Sequence, residues 1–234
     1  FSYFDVFAEM TENLDRLDRY APTILVGPPS VLLAIARAAE RGEIAVRPEK
    51  VYAVAEVLEV SDERRIAAGL GQERIHQLYQ CTEGFLAHTC EEGVLHLNED
   101  GVLFEREPLG GGRFVPVVTD LRRRAQPIVR YRLGDVLRER DVPCPCGSAL
   151  TAVARIEGRE GDTLQLPGRD GGVVEVFADL VSRAVVYADG VAEYRIVQTG
   201  RRELEVGIEA AGDTPLAVAR AHVAAELGSL ADRL

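Results

Sequence analysis

The amino-terminal third of the chain alternates strand-like and helix-like runs, and this order constrains the fold more than any other feature. Thr23–Val26 is short, apolar and β-branched, which marks a buried strand. Gly27-Pro28-Pro29 makes a turn, Ser30 stands where a helix cap belongs, and Val31–Arg41 carries that helix to Gly42. Val51–Val54 is a second strand, Ser61 stands at the start of a helix ending near Gly69, and Ile75–Tyr79 is a third strand. Strands separated by helices pair in parallel, with right-handed crossovers. Upstream, Phe7, Met10, Leu14 and Leu17 share one helical face, so Phe1–Tyr20 reads as an amphipathic helix stopped by Ala21-Pro22.

From Phe85 the pattern changes to short strands in succession: Phe85–Thr89, Val94–Leu97, Val102–Glu105, Phe114–Thr119, Ile128–Tyr131, Val136–Arg140 and Ala152–Ile156. These predict an antiparallel sheet or distorted barrel joined to the parallel sheet and packed beside it. Gly158–Asp162 is polar and glycine-bearing, as a linker is. Beyond it, Thr163–Leu166 and Val173–Val176 flank a turn, Phe177–Tyr187 is helical, Ala192–Gln198 pairs with Glu203–Ile208, and Pro215–Glu226 is a final helix. The expected class is α/β. Residues 1–157 form a large domain (1–84 βαβαβ, 85–157 β-rich), and 158–234 form a small α+β domain.

A net charge of -11 sets the surface against nucleic acid and anionic lipid. No apolar run is long enough to span a bilayer, and no signal peptide is visible, so no membrane partner and a cytoplasmic location are expected. The chain begins at Phe1 rather than methionine, which predicts that it was cut from a longer polypeptide.

In parallel α/β sheets, ligands gather beyond the carboxyl ends of the strands. Val26–Pro29, Ala55-Glu56 and Tyr79–Gly84 fall there. In Tyr79-Gln80-Cys81-Thr82-Glu83-Gly84 a hydroxyl suited to a phosphate oxygen precedes a carboxylate suited to Mg²⁺, and Tyr79 offers a ring to a base. Taken alone, the segment reads equally as a solvated turn. Asp135, after Arg130-Tyr131-Arg132-Leu133-Gly134, can accept ribose hydroxyls or simply cap a turn. Arg159, in Gly158-Arg159-Glu160-Gly161-Asp162, can reach a phosphate or belong to a plain linker.

Together, in this order, the three segments resemble the adenylate-forming superfamily of acyl-CoA synthetases, and most closely its phenylacetate–CoA ligase branch. YQCTEG is similar to that family's Tyr-Gly-x-Ser/Thr-Glu loop. Leu95–Asp100 matches a Leu-His-Ile strand followed by Glu-Asp, Pro127–Asp135 matches Pro-x-x-Arg-Tyr-Arg-x-x-Asp, and GREGD matches Gly-Arg-x-Asp-Asp. The resemblance runs from about Pro22 to Val176. It implies that Tyr79 stacks on adenine and that Thr82 and Glu83 are catalytic, binding phosphate and Mg²⁺. It also implies that Asp135 holds the ribose and Arg159 contacts the adenylate. Ala55 and Glu56 match the tail of a Gly-Ala-Glu segment lining the acyl pocket, with Val54 in place of glycine. Gln80 and Gly161 depart from the pattern. The family's phosphate loop would precede Phe1, and its carboxyl-terminal lysine has no counterpart, because Lys50 is the only lysine.

The cysteines are a separate constellation. Cys144-Pro145-Cys146-Gly147 is a tight knuckle, and Cys90 and His96 sit on neighbouring strand-like runs. Three thiolates and an imidazole make a Cys₃His set for tetrahedral, structural Zn²⁺. His76 and His88 are rival ligands, and the cysteines also read as small buried apolar residues. Cys81 belongs to the nucleotide segment.

The resulting expectation is part of an ATP- and Mg²⁺-dependent carboxylic-acid adenylating enzyme that passes its acyl group to CoA. Its substrate is an acid, aromatic by branch resemblance. Its other expected partners are the upstream part of the same polypeptide and, as a candidate assembly, a homodimer. The fragment alone is expected to be inactive. Two alternatives stand: a non-catalytic, zinc-stabilised nucleotide-binding or interaction module, and a relative that adenylates a cofactor without making a thioester.

Overall fold

The computed structural model describes residues 1–5, 8–161, 163–168, 172–186, 188 and 190–231. Helix α1 covers Met10–Tyr20 and buries Leu14 and Leu17. It is shorter than the sequence pattern suggested, and Phe7 lies outside the described residues.

The βαβαβ order is present. Strands β1 (Ile24–Gly27), β2 (Lys50–Ala53) and β3 (His76–Cys81) pair in parallel, with α2 (Pro29–Glu40) and α3 (Val60–Leu70) between them. Leu25, Val51 and Ala53 point to the buried side. A Cβ on Gly27 of that side would meet Leu32 of α2 at 3.6 Å, so α2 covers this face. The two helices press together at Gly69, where a Cβ would stand 2.7 Å from the Ala36 carbonyl oxygen, a distance only glycine permits. On the other face Ile24 and Val26 are 54% and 52% exposed.

Two expected caps are not caps. Helix α2 starts two residues earlier than predicted, with Pro29 inside its first turn and Pro28 at the cap, because proline's fixed φ suits that turn. Helix α3 starts at Val60 with Glu59 at the cap, so Ser61 lies inside it.

The later strands are antiparallel, as expected, and are joined edge to edge to the parallel ones. Strands β4 (Gly84–Thr89), β5 (Leu95–Leu97), β6 (Val102–Gly110), β7 (Arg113–Asp120), β8 (Tyr131–Arg132), β9 (Asp135–Glu139) and β10 (Ala152–Arg159) continue the first sheet. The order is β1-β2-β3-β4-β5-β10-β9-β7-β6, with β8 also on β7. β3 joins the two halves, parallel to β2 on one edge and antiparallel to β4 on the other. A core of Tyr79, Leu86, Leu95, Leu97, Phe114, Val118, Leu133 and Leu137 holds the antiparallel part.

The chain divides into two compact units, Phe1–Ile156 and Glu157–Leu234. The expected linker is shorter than predicted, because β10 runs on to Arg159. In the second unit, β11 (Thr163–Pro167) pairs with β12 (Val173–Phe177), and β13 (Val191–Gly200) with β14 (Glu203–Ala210). Helices α4 (Ala178–Val186) and α5 (Leu216–Ala231) complete it around Val176, Val181, Val185 and Val223. Among the described residues, no helix is long and apolar enough to cross a membrane.

Candidate functional site

Tyr79–Gly84 is a hairpin rather than an open loop. β3 runs through Cys81 and β4 begins at Gly84, leaving Thr82 and Glu83 as the turn, with a register shift between Tyr79 and Gln80. Tyr79 pairs with the buried Ala87 and faces inward with it. Its ring, expected to lie under a base, is 7% exposed and packs in the core. Its hydroxyl donates to Asp135 Oδ2 at 2.5 Å, so residues 56 apart in sequence meet. Thr82 is exposed, and its carbonyl accepts from Arg123 Nη1 at 2.8 Å. Burial, then a hydrogen bond with Glu83, pushes the Cys81 thiol up to about 11.

Burial first, and the charge and hydrogen bond of Asp135 second, hold the Tyr79 phenol well above its ordinary value. The sign of the linkage follows. An unfolded tyrosine ionises near about pH 10, whereas the folded one stays protonated. Stability from this group is therefore complete below pH ~10 and falls as pH rises above it, by up to about 1.4 kcal/mol per pH unit. Tyr79→Phe is expected to cost about 2 kcal/mol at neutral pH, the worth of a buried bond to a charged group. It should also flatten the alkaline limb of a denaturation-versus-pH series. An unchanged limb would show that the phenol is not so held.

Ala55 has a left-handed backbone, φ 68°, an unfavourable conformation for a residue with a Cβ. It turns the chain so that Glu56 reaches Ser30. Glu56 Oε2 accepts from the Ser30 backbone N–H at 3.0 Å, and Oε1 from its hydroxyl at 2.7 Å. Glu56, expected to line an acyl pocket, thus closes the amino-terminal turn of α2, where a carboxylate also meets the favourable end of the helix dipole. Arg159 is the last residue of β10 and belongs to the second unit.

A cavity of about 500 Å³ in the first unit, lined by Tyr52, Leu78, Phe85, His88, Asn98 and Asp120 among others, has no signature in the sequence. His88 Nδ1 lies 2.6 Å from Asn98 Oδ1, and Asn98 Nδ2 donates to the Phe85 carbonyl at 2.9 Å. His88 thus lines the cavity and lies outside the cluster of Cys90, His96, Cys144 and Cys146.

The predicted metal set converges. The ligand atoms of Cys90, His96, Cys144 and Cys146 all lie within 4.8 Å of one another. Cys90 Sγ is 3.7 Å from Cys144 Sγ, and Cys146 Sγ is 3.5 Å from His96 Nε2. A tetrahedron with Zn–S of about 2.3 Å and Zn–N of about 2.05 Å has S···S edges of about 3.8 Å and S···N edges of about 3.6 Å. Both distances fit. His96 is 2% exposed, and its Nδ1 lies 3.0 Å from the Leu150 carbonyl, which fixes the tautomer that turns Nε2 to the thiols. The knuckle closes through Gly147 N–H to the Cys144 carbonyl at 3.2 Å, with Gly147 at φ 73°, and Ser148 N–H faces Cys146 Sγ at 3.4 Å. Partial burial opposes ionisation of Cys90. Hydrogen bonds with the backbone at Val94 and Glu92 and with the other two thiols outweigh it and hold this thiol below its ordinary value. Cys81 and His76 take no part in the set.

No family model matches this chain, and no curated protein does. Solved structures do. 2-Hydroxyisobutyryl-CoA ligase in the postadenylation state, in complex with R3-HIB-AMP, matches with a TM-score of 0.65 at 20% identity, over 94% of this chain and 52% of that one. McyG A-PCP complexed with phenylalanyl-adenylate matches with a TM-score of 0.57 at 16% identity, over 93% and 46%. The anthranilate CoA ligase AuaEII in complex with anthranoyl-AMP matches with a TM-score of 0.54 at 13% identity, over 94% and 46%. The chain thus spans about half the length of the structures it matches. At these identities the likeness is one of architecture: the chain has the fold of the adenylate-forming acyl-CoA ligases.

Proposed function

We propose that this chain is part of an ATP-dependent enzyme that activates a carboxylic acid as its acyl-adenylate and passes the acyl group to CoA. The observation that carries the reading is the contact between Tyr79 and Asp135, on a fold whose solved examples hold acyl-adenylates. It joins two of the three segments that resemble nucleotide motifs, next to the Thr82–Glu83 turn.

In this reading Tyr79 does two things. It borders the adenine, and its buried phenol holds the Asp135 carboxylate ready for the ribose hydroxyls. Thr82 binds the phosphate and Glu83 holds Mg²⁺, which neutralises charge as the phosphoryl group is transferred. Arg159 contacts the ribose or phosphate side of the adenylate. Ala55 and Glu56 shape the acyl pocket indirectly, by fixing the start of α2. The acid is aromatic, as the branch resemblance favours. Zn²⁺ on Cys90, His96, Cys144 and Cys146 is structural, since four protein ligands leave no open position. Such a reduced thiol set suits the cytoplasm.

ATP–pyrophosphate exchange by the whole protein, across a panel of aromatic and aliphatic acids, tests the reading. Acid-dependent exchange is expected there and not in residues 1–234 alone. A whole protein that binds nucleotide yet exchanges nothing would instead favour the non-catalytic module, to which Gln80 and Gly161 point. Exchange without an acyl-CoA product would identify the relative that adenylates a cofactor.

A further inference from the structure

Arginines crowd the surface built by β6, β8 and the loop between β7 and β8. Arg106 meets Glu139 at 2.8 Å, Arg122 meets Asp100 at 2.9 Å, Arg132 meets Glu107 at 2.6 Å, and Arg130 pairs with Glu105. Arg123 differs. Its Nη1 donates to the backbone carbonyl of Thr82, and among the described residues its guanidinium makes no further hydrogen bond or ion pair.

The local backbone sets this direction. Asp120, the last residue of β7, accepts on Oδ1 from the backbone N–H of Arg122 at 2.8 Å and of Arg123 at 3.0 Å. Its own N–H donates to the Ile128 carbonyl at 3.0 Å and closes the base of the loop. This Asx-type turn fixes the chain just where the two side chains diverge. Arg122 goes to Asp100, and Arg123 goes to the Thr82–Glu83 turn.

A carbonyl occupies one of the five guanidinium donors and neutralises none of the charge. What remains is a planar, uncompensated cation anchored beside the turn assigned to phosphate. Such a fork matches phosphoryl oxygens in both geometry and charge. We propose that Arg123 binds the nucleotide's phosphates at this turn, held in position by the Thr82 carbonyl. The proposal rests on the nucleotide reading above and adds a residue to it. The contact is with the phosphate tail, so it distinguishes ATP from adenosine.

Equilibrium binding of ATP and of adenosine to the whole protein tests it, with Arg123→Met, Arg123→Lys and Arg124→Met compared with the parent. Arg124 is an exposed neighbour carrying the same charge. Loss of a charge-assisted bond predicts ATP binding weakened on the order of tenfold to a hundredfold in R123M. Adenosine binding should stay within about twofold, R123K should recover part of the loss, and R124M should change little. Three results would overturn the proposal: undiminished ATP binding in R123M, equal weakening of ATP and adenosine, or an equal loss in R124M. A parent protein that binds neither ligand would defeat the nucleotide reading as well.

Discussion

Cys146→Ser is expected to strip zinc from the protein and to lower its melting temperature by about 10 °C, although the side chain it replaces is exposed. The reasoning is one of contrast. A substitution at an exposed position normally changes stability by less than about 0.5 kcal/mol. A structural Zn²⁺ contributes on the order of 10 kcal/mol to the folding of small zinc domains. Here the sheet has its own core, so only part of that is at stake. A loss of about 4 kcal/mol corresponds to roughly 8–16 °C for a unit of this size. The geometry says where the loss arises: the cluster clasps the end of the β4–β5 hairpin, through Cys90 and His96, to the connection between β9 and β10. Metal analysis of protein purified without added zinc should give about one zinc per chain, and a chelator should reproduce the C146S melting curve. A metal-free protein with unchanged melting would remove zinc from the account and leave the thiols as packed cysteines.

Glu83→Gln in the whole protein is expected to reduce ATP–pyrophosphate exchange by about a hundredfold to a thousandfold, the usual cost of removing one electrostatic contact from a charged transition state. The change is nearly isosteric and sits in a surface hairpin turn, so folding should survive and the melting curve should hold. If Glu83 is a magnesium ligand, the Mg²⁺ concentration for half-maximal rate should also rise. Exchange within threefold of the parent at every Mg²⁺ concentration would take Glu83 out of the site.

Periodicity made the βαβαβ order readable, because β-branched runs and helical faces are local properties of the chain. The Cys₃His cluster was readable for a related reason: a Cys-x-Cys knuckle is a local chelate, and few residue types can complete it. What escaped the sequence was non-local. Nothing in Ile75–Leu97 announces that β3 accepts partners of opposite sense on its two edges and so merges both strand sets. Ser30 looked like a cap because it follows prolines, yet the groups that close this helix end come from Glu56, on the far side of β2. The contact of Tyr79 with Asp135 spans 56 residues, and no residue type signals it. Arg123 was hidden among its neighbours, since Leu121-Arg122-Arg123-Arg124 shows nothing about which cation finds a carboxylate.

The exposed side of β1 has a consequence for handling this polypeptide. Parallel sheets are ordinarily sandwiched between two layers. In this chain α2 and α3 supply one layer, and Ile24 and Val26 face water on the other side at a sheet edge. Two half-exposed branched aliphatics beside an unpaired strand edge make β1 a place where another apolar surface can adhere.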